Sequence, residues 1–202
     1  MLSGVHSYRG IENWKDFIDL EFVDTKPIYT TLKKTYRTTT EIMNIANSVI
    51  SHLPAHEKEY IVLGEPIIHN KNSISISQKQ NINEIISEII TKINQYTSEG
   101  YKSIAIIGKT QDECIMLYNK LKKLNNNINL IKSKDSEYNA GISIVPSYLA
   151  KGLEFDVVII SNANTNSYTN SSLDIKLLYV AITRAMNKLD IYYTGELTNL
   201  LL

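Results

Sequence analysis

Gly108, Lys109 and Thr110 have the residue types that close a phosphate-binding loop, and they end the stretch "SIAIIGKTQDE" at 103–113. A P-loop reads G-x-x-x-x-G-K-[ST], because a glycine-rich turn must bring several backbone N–H groups together on the phosphates. Here Ser103 stands where the first glycine belongs, and Ile104, Ala105, Ile106 and Ile107 fill the interval. That interval reads as a strand. Thr110 and Glu113 fit a capping box, in which the hydroxyl satisfies an N–H at a helix start and the carboxylate reaches back. The expectation is therefore a strand, a tight turn and a capped helix, not a nucleotide site.

Three other segments carry residues suited to phosphate or nucleotide chemistry. In "LKKTYRTTTEIMNIAN" (32–47), Arg37 falls at a strand-to-helix junction beside Tyr36. A guanidinium there could reach a phosphate with its planar fork while the ring stacks on a base. In "PSYLAKGLEFDVVII" (146–160), a Lys151–Gly152 turn is followed by Glu154, directly before an apolar run. Glycine lets backbone approach a ligand closely, and a carboxylate at a strand edge can accept from a ribose hydroxyl or orient a polar group. In "KLLYVAITRAMNKLDIYY" (176–193), Arg184 ends a helix that is apolar on one side. Taken singly, each has an ordinary explanation as a surface arginine, a turn or a partner of the helix dipole.

Taken in order, the three segments resemble motifs IV, V and VI of the superfamily 1 DNA helicases of the UvrD and Rep kind. The likeness covers about the whole chain. "SGVHSYRGIENW" (3–14) resembles the end of motif III, written Q-S-I-Y-x-[FW]-R-G. The wording of "SYLAKGLEFD" and "LLYVAITRAM" is nearest to the HelD or helicase IV branch. The resemblance implies that Arg37 and Arg184 contact the γ-phosphate of ATP, that Tyr36 stacks on adenine, and that Glu154 faces the ribose or γ-phosphate. It further implies that Lys151 and Gly152 link the nucleotide cleft to the single-strand track. His6 and Tyr8 would stack on bases with Arg9 beside them, a mode that tolerates any base sequence.

Departures from the family pattern matter equally. Ser3 replaces the motif III glutamine, and Tyr148 stands where motif V usually has a histidine that contacts the strand. The sequence shows no P-loop, no Asp-Glu pair for magnesium and no adenine-binding glutamine motif. The resemblance places these in a first RecA-like domain ahead of residue 1, with residues 1–24 as its tail and linker and 25–202 as the second RecA-like domain. ATP with Mg²⁺ would then bind in the full-length parent, none being retained by this chain alone, which is expected to be catalytically silent. The expected partners are that first domain and single-stranded DNA. Two alternatives stand beside a helicase: a HelD-type ATPase that releases RNA polymerase, and a non-catalytic α/β binding module.

The elements that must position these residues follow from periodicity. Short β-rich apolar runs alternate with helix-period segments, which predicts an α/β fold with a parallel sheet and helices on its faces, and the resemblance implies that this sheet is RecA-like with helices on both faces. Helices are expected after a Thr38/Glu41 capping box, over the isoleucine stripe from Ile82 to Ile93 with a stop at Gly100, after Thr110, and from about Ser172 to Met186. Strands are expected at Ile28–Leu32, at Ile67–His69 or Ile74–Ile76, and at Ile104–Ile107, Ile128–Ile131, Ile142–Val145, Val157–Ser161 and Leu189–Tyr193. The interval from Ile107 to Ser147 is too short for the large subdomain inserted in UvrD-like enzymes.

At 202 residues the chain suffices for one sizeable core. With 21 basic and 21 acidic residues it has no overall field to announce nucleic acid. Cys114, the single cysteine, shares a helix face with Leu117, Tyr118 and Leu121 and reads as core rather than as nucleophile or ligand. With no signal peptide and no apolar run of spanning length, a soluble cytoplasmic protein without membrane contact is expected.

Overall fold

A computed structural model describes residues 34–58, 61, 63–70, 73–132 and 141–202. The expected strand at 28–32, the boundary at 24/25 and the motif III residues all lie outside them. Eight strands occur in the described part: β1 (Lys34–Thr39), β2 (Glu65–Ile68), β3 (Ile74–Lys79), β4 (Ile104–Gly108), β5 (Ile128–Leu130), β6 (Ile142–Pro146), β7 (Phe155–Ile160) and β8 (Ala185–Thr194). The helices are α1 (Thr40–Ile50), α2 (Ala55–Lys58), α3 (Ile82–Ser98), α4 (Gln111–Leu121) and α5 (Ser172–Ile182), followed by a 3₁₀ turn at Asn199–Leu201.

Strands β3 to β8 form one six-stranded sheet in the order β3-β8-β7-β4-β6-β5, and every pairing in it is parallel. Parallel neighbours need crossovers that cover the faces, so the central strands are apolar on both sides. Ala105, Ile107, Val145, Val158 and Ile160 pack into one layer with α1 and α5. Ile104, Ile106, Ile144, Val157 and Ile159 pack into the opposite layer with α3 and α4. This is the parallel α/β arrangement expected from the alternation of short apolar runs and amphipathic segments, and it agrees with the RecA-like fold that the resemblance implies.

The isoleucine stripe forms α3 as expected: Asn81 caps it by accepting from Asn83 N and Glu84 N, and Gly100 at φ +91° follows its end. Of the two alternatives around residue 70, both are strands. β3 lies at the edge of the main sheet, whereas β2 pairs in parallel with β1 as a separate ribbon.

Two helix ends differ from expectation. β1 extends through Thr39 and α1 starts at Thr40, so the cap shifts from Thr38 to Thr39, whose hydroxyl accepts from Ile42 N at 3.4 Å. Glu41 then turns away to accept from Asn70 N at 3.0 Å. The last helix ends at Ile182 instead of reaching Met186, because Ala185 already pairs with Phe155 of β7. Tertiary pairing overrides a helical period that continues through Arg184 and Met186. No helix among the described residues is long and apolar enough to cross a membrane.

Candidate nucleotide-facing site

The Gly-Lys-Thr segment folds as a capped strand end. Gly108 closes β4, and Thr110 Oγ1 accepts from Glu113 N at 3.2 Å to start α4. Glu113 folds back on the turn: Oε2 accepts from Lys109 N at 2.8 Å and Oε1 from the Ser161 hydroxyl. Lys109 is committed elsewhere, with its ammonium 2.6 Å from Asp174 Oδ1, bonded to the Ser167 carbonyl and 5.6 Å from the centroid of the Tyr168 ring. Cys114 beneath it is fully buried, and burial pushes its thiol up to about 12. It is core, as its helical position predicted.

Arg37, Glu154 and Arg184 converge instead. Thr38 and Thr39 are buried at the end of β1, and the Thr39 hydroxyl donates to Ser73 Oγ at 3.0 Å. That anchor leaves the preceding residues facing solvent, with Tyr36 69% exposed. Glu154 directly precedes β7, and its neighbour Phe155 is fully buried. The Phe155 N–H donates to the Arg184 carbonyl at 3.0 Å, so the start of β7 and the turn from α5 into β8 are held together. Arg37 Nε lies 2.8 Å from Glu154 Oε1.

Arg184 is fixed by backbone. Its Nη1 donates to the Leu153 carbonyl at 3.0 Å, Nε to Val180 O at 3.1 Å and Nη2 to Thr183 Oγ1 at 3.2 Å. Burial first, and then the nearby Arg37 charge, hold its guanidinium below the ordinary arginine range, against an opposing pull from Glu154. Two cations and one carboxylate leave a net positive charge, which suits a phosphate group. The positioning groups Leu153, Val180 and Thr183 act through carbonyls and a hydroxyl, so no pattern of residue types announced them.

The motif V residues separate along one crossover. β6 and β7 both run parallel to β4, so the end of β6 and the start of β7 lie at opposite edges of the sheet. Residues 147–154 connect those edges without a helix, with Ala150 fully buried on the way. Tyr148 lies at the carboxyl edge, where its hydroxyl meets Gln111 Oε1 at 3.4 Å at the start of α4. Glu154 lies at the amino edge beside both arginines. Lys151 and Gly152 are exposed between them. Gly152 has φ +89°, a backbone conformation that favours glycine, and a Cβ there would meet no protein atom within 4 Å. His6, Tyr8 and Arg9 lie outside the described residues.

Residues 116–196 match the family model described as the UvrD-like helicase C-terminal domain. The matched stretch contains Tyr148, Lys151, Gly152, Glu154 and Arg184, whereas Tyr36 and Arg37 precede it. No curated protein matches the chain. Among solved structures, the C-terminal domain of a possible DNA helicase from Lactobacillus plantarum WCFS1 is 28% identical, with a TM-score of 0.64 over 83% of this chain and 92% of that one. T4 UvsW is 10% identical over 68% of this chain and 36% of that one, with a TM-score of 0.37. Residues 116–196 thus match the C-terminal domain of UvrD-like helicases, within a RecA-like α/β fold similar to a solved helicase C-terminal domain.

Proposed function

We propose that this chain is the second RecA-like motor domain of an ATP-dependent DNA translocase, supplying the far wall of an ATP cleft whose P-loop belongs to a preceding domain. The convergence of Arg37, Glu154 and Arg184 at one sheet edge is the observation that carries this reading. Arg37 and Arg184 would receive the γ-phosphate and offset the charge that builds on it as the phosphoryl group leaves. Tyr36, exposed next to Arg37, would stack on the adenine. Glu154 would face the ribose or the phosphate end.

Magnesium falls to the preceding domain in this scheme. The described residues include no group of three or more His, Cys, Asp or Glu placed to hold a metal ion. Tyr148 and Lys151 would belong to the single-strand track, together with His6, Tyr8 and Arg9 from the segment at 1–24. The eight-residue crossover would pass movement between the two edges as the cleft closes and opens. The matches are to helicase domains, which favours translocation on DNA over the polymerase-directed alternative.

The test is made in a protein that joins this chain to a P-loop domain. Arg37→Ala and Arg184→Ala should each lower the kcat of DNA-stimulated ATP hydrolysis by roughly 10³ or more, the scale of arginine fingers. Near-normal turnover in both variants would reject the assignment.

A further inference from the structure

The arginine cluster already holds an anion of its own. Arg184 spends three of its donors on Leu153, Val180 and Thr183, so its guanidinium is fixed before any ligand arrives. Arg37 differs: its side chain is 56% exposed, and among the described residues its bonded partner is Glu154, itself 37% exposed. The carboxylate therefore sits on the exposed cation of the pair, at the Nε that a phosphate oxygen on Arg37 would also seek. Exposed ion pairs of this kind are weak, so such a contact can be exchanged.

We propose that Glu154 is a displaceable counter-ion which tunes the affinity of the cluster for polyphosphate. Entry of a terminal phosphate is then an exchange, in which one oxyanion replaces another on Arg37, rather than addition to two bare guanidinium groups. The same contact shields Arg184 from the Arg37 charge when no ligand is present, in keeping with the opposing effects of the two groups on Arg184. Departure of the cleaved phosphate is assisted in the same way, because Glu154 recaptures Arg37 as the product leaves. The proposal rests on reading this cluster as a phosphate site and adds to it a residue that sets how tightly the site holds.

The probe is inorganic tripolyphosphate, which lacks ribose and base, titrated into the 202-residue chain and followed by NMR shifts at fixed ionic strength. Glu154→Gln keeps the side-chain shape and removes the charge. It should tighten tripolyphosphate binding by about two- to fivefold, the range that an exposed ion pair allows. Arg37→Ala/Glu154→Gln should show no such gain over Arg37→Ala, because the cation released by the first change is gone. Weaker binding by Glu154→Gln would make Glu154 a group that holds Arg37 in its binding pose and would overturn the proposal. Unchanged tripolyphosphate binding with weaker ATP binding would assign Glu154 to the ribose alone and would overturn it equally. Failure of every variant, including the parent sequence, to bind tripolyphosphate would overturn the proposal for this chain, whereas the phosphate-site reading beneath it stands or falls on the turnover of Arg37→Ala and Arg184→Ala in the P-loop-joined protein.

Discussion

Replacing Lys109 with methionine separates a phosphate lysine from a structural one. If Lys109 held a nucleotide, Lys109→Met would leave the fold intact and abolish binding. The structure demands the reverse. The Lys109 and Asp174 side chains are only 22% and 7% exposed, and they meet at 2.6 Å. Removing the lysine leaves a buried carboxylate without its cation, a loss of about 3–5 kcal/mol in comparable pairs. Asp174 keeps two compensations, the N–H and hydroxyl of Thr169 at 2.9 and 2.7 Å, and it sits in the first turn of α5. These place the cost nearer to about 2–3 kcal/mol, or a fall in Tm on the order of 4–12 °C for a chain of this size.

The pH dependence has a definite sign. Burial pulls the Asp174 carboxyl up, but Lys109 and Thr169 outweigh it and leave it below the ordinary value of 3.8. The stabilisation is therefore fully present above that value and is lost as pH falls through the lowered native pKa. The gap between the parent sequence and Lys109→Met should be widest near neutrality and should close in acid. Urea unfolding at several pH values measures it, and Lys109→Met/Asp174→Asn should recover most of the loss. A stable Lys109→Met protein whose P-loop-joined form no longer binds ATP would make Lys109 a nucleotide ligand and overturn its structural role.

Two further perturbations probe the layers on the α4 and α3 side. Gly108→Ala would set a Cβ 2.8 Å from Cys114 Sγ and 3.2 Å from Glu113 Cδ, both on α4, and should cost about 1–3 kcal/mol in chemical denaturation. Cys114→Ala in the same chain should return part of that loss, because it removes the sulfur. Asp190 is 2% exposed, and burial raises its carboxyl despite the Tyr96 hydroxyl bonded to it at 2.7 Å. Its charged form opposes folding above the raised pKa, so Asp190→Asn should raise Tm at pH 7, with a gain that fades as pH falls toward 3.8.

Much of the architecture was legible because the central strands are continuously apolar and the helices carry regular stripes. Ile104–Ile107 could only be a doubly covered strand, and the stripe from Ile82 to Ile93 could only be one helix face. The ends of elements were less legible. Thr38 and Thr39 offer the same hydroxyl at adjacent positions, and only the end of β1 at Thr39, with the helix starting at Thr40, passes the cap to the second. The segment from Ser172 to Met186 keeps a helical period past its real end, and strand pairing at Ala185 cuts it short.

At the candidate site the residue types were readable along the chain: two arginines and a glutamate in motif-like surroundings, and a Gly-Lys-Thr with the wrong spacing before it. Local rules suffice for these, since spacing and capping depend on near neighbours along the chain. That Arg37, Glu154 and Arg184, up to 147 positions apart in sequence, come together at one edge of the sheet emerges from the folded arrangement alone. The same arrangement sends Tyr148 to the other edge and clamps Lys109 against Asp174. Those outcomes follow from strand order, because the parallel crossover from β6 to β7 fixes which ends of distant segments become neighbours, and no local pattern encodes that choice.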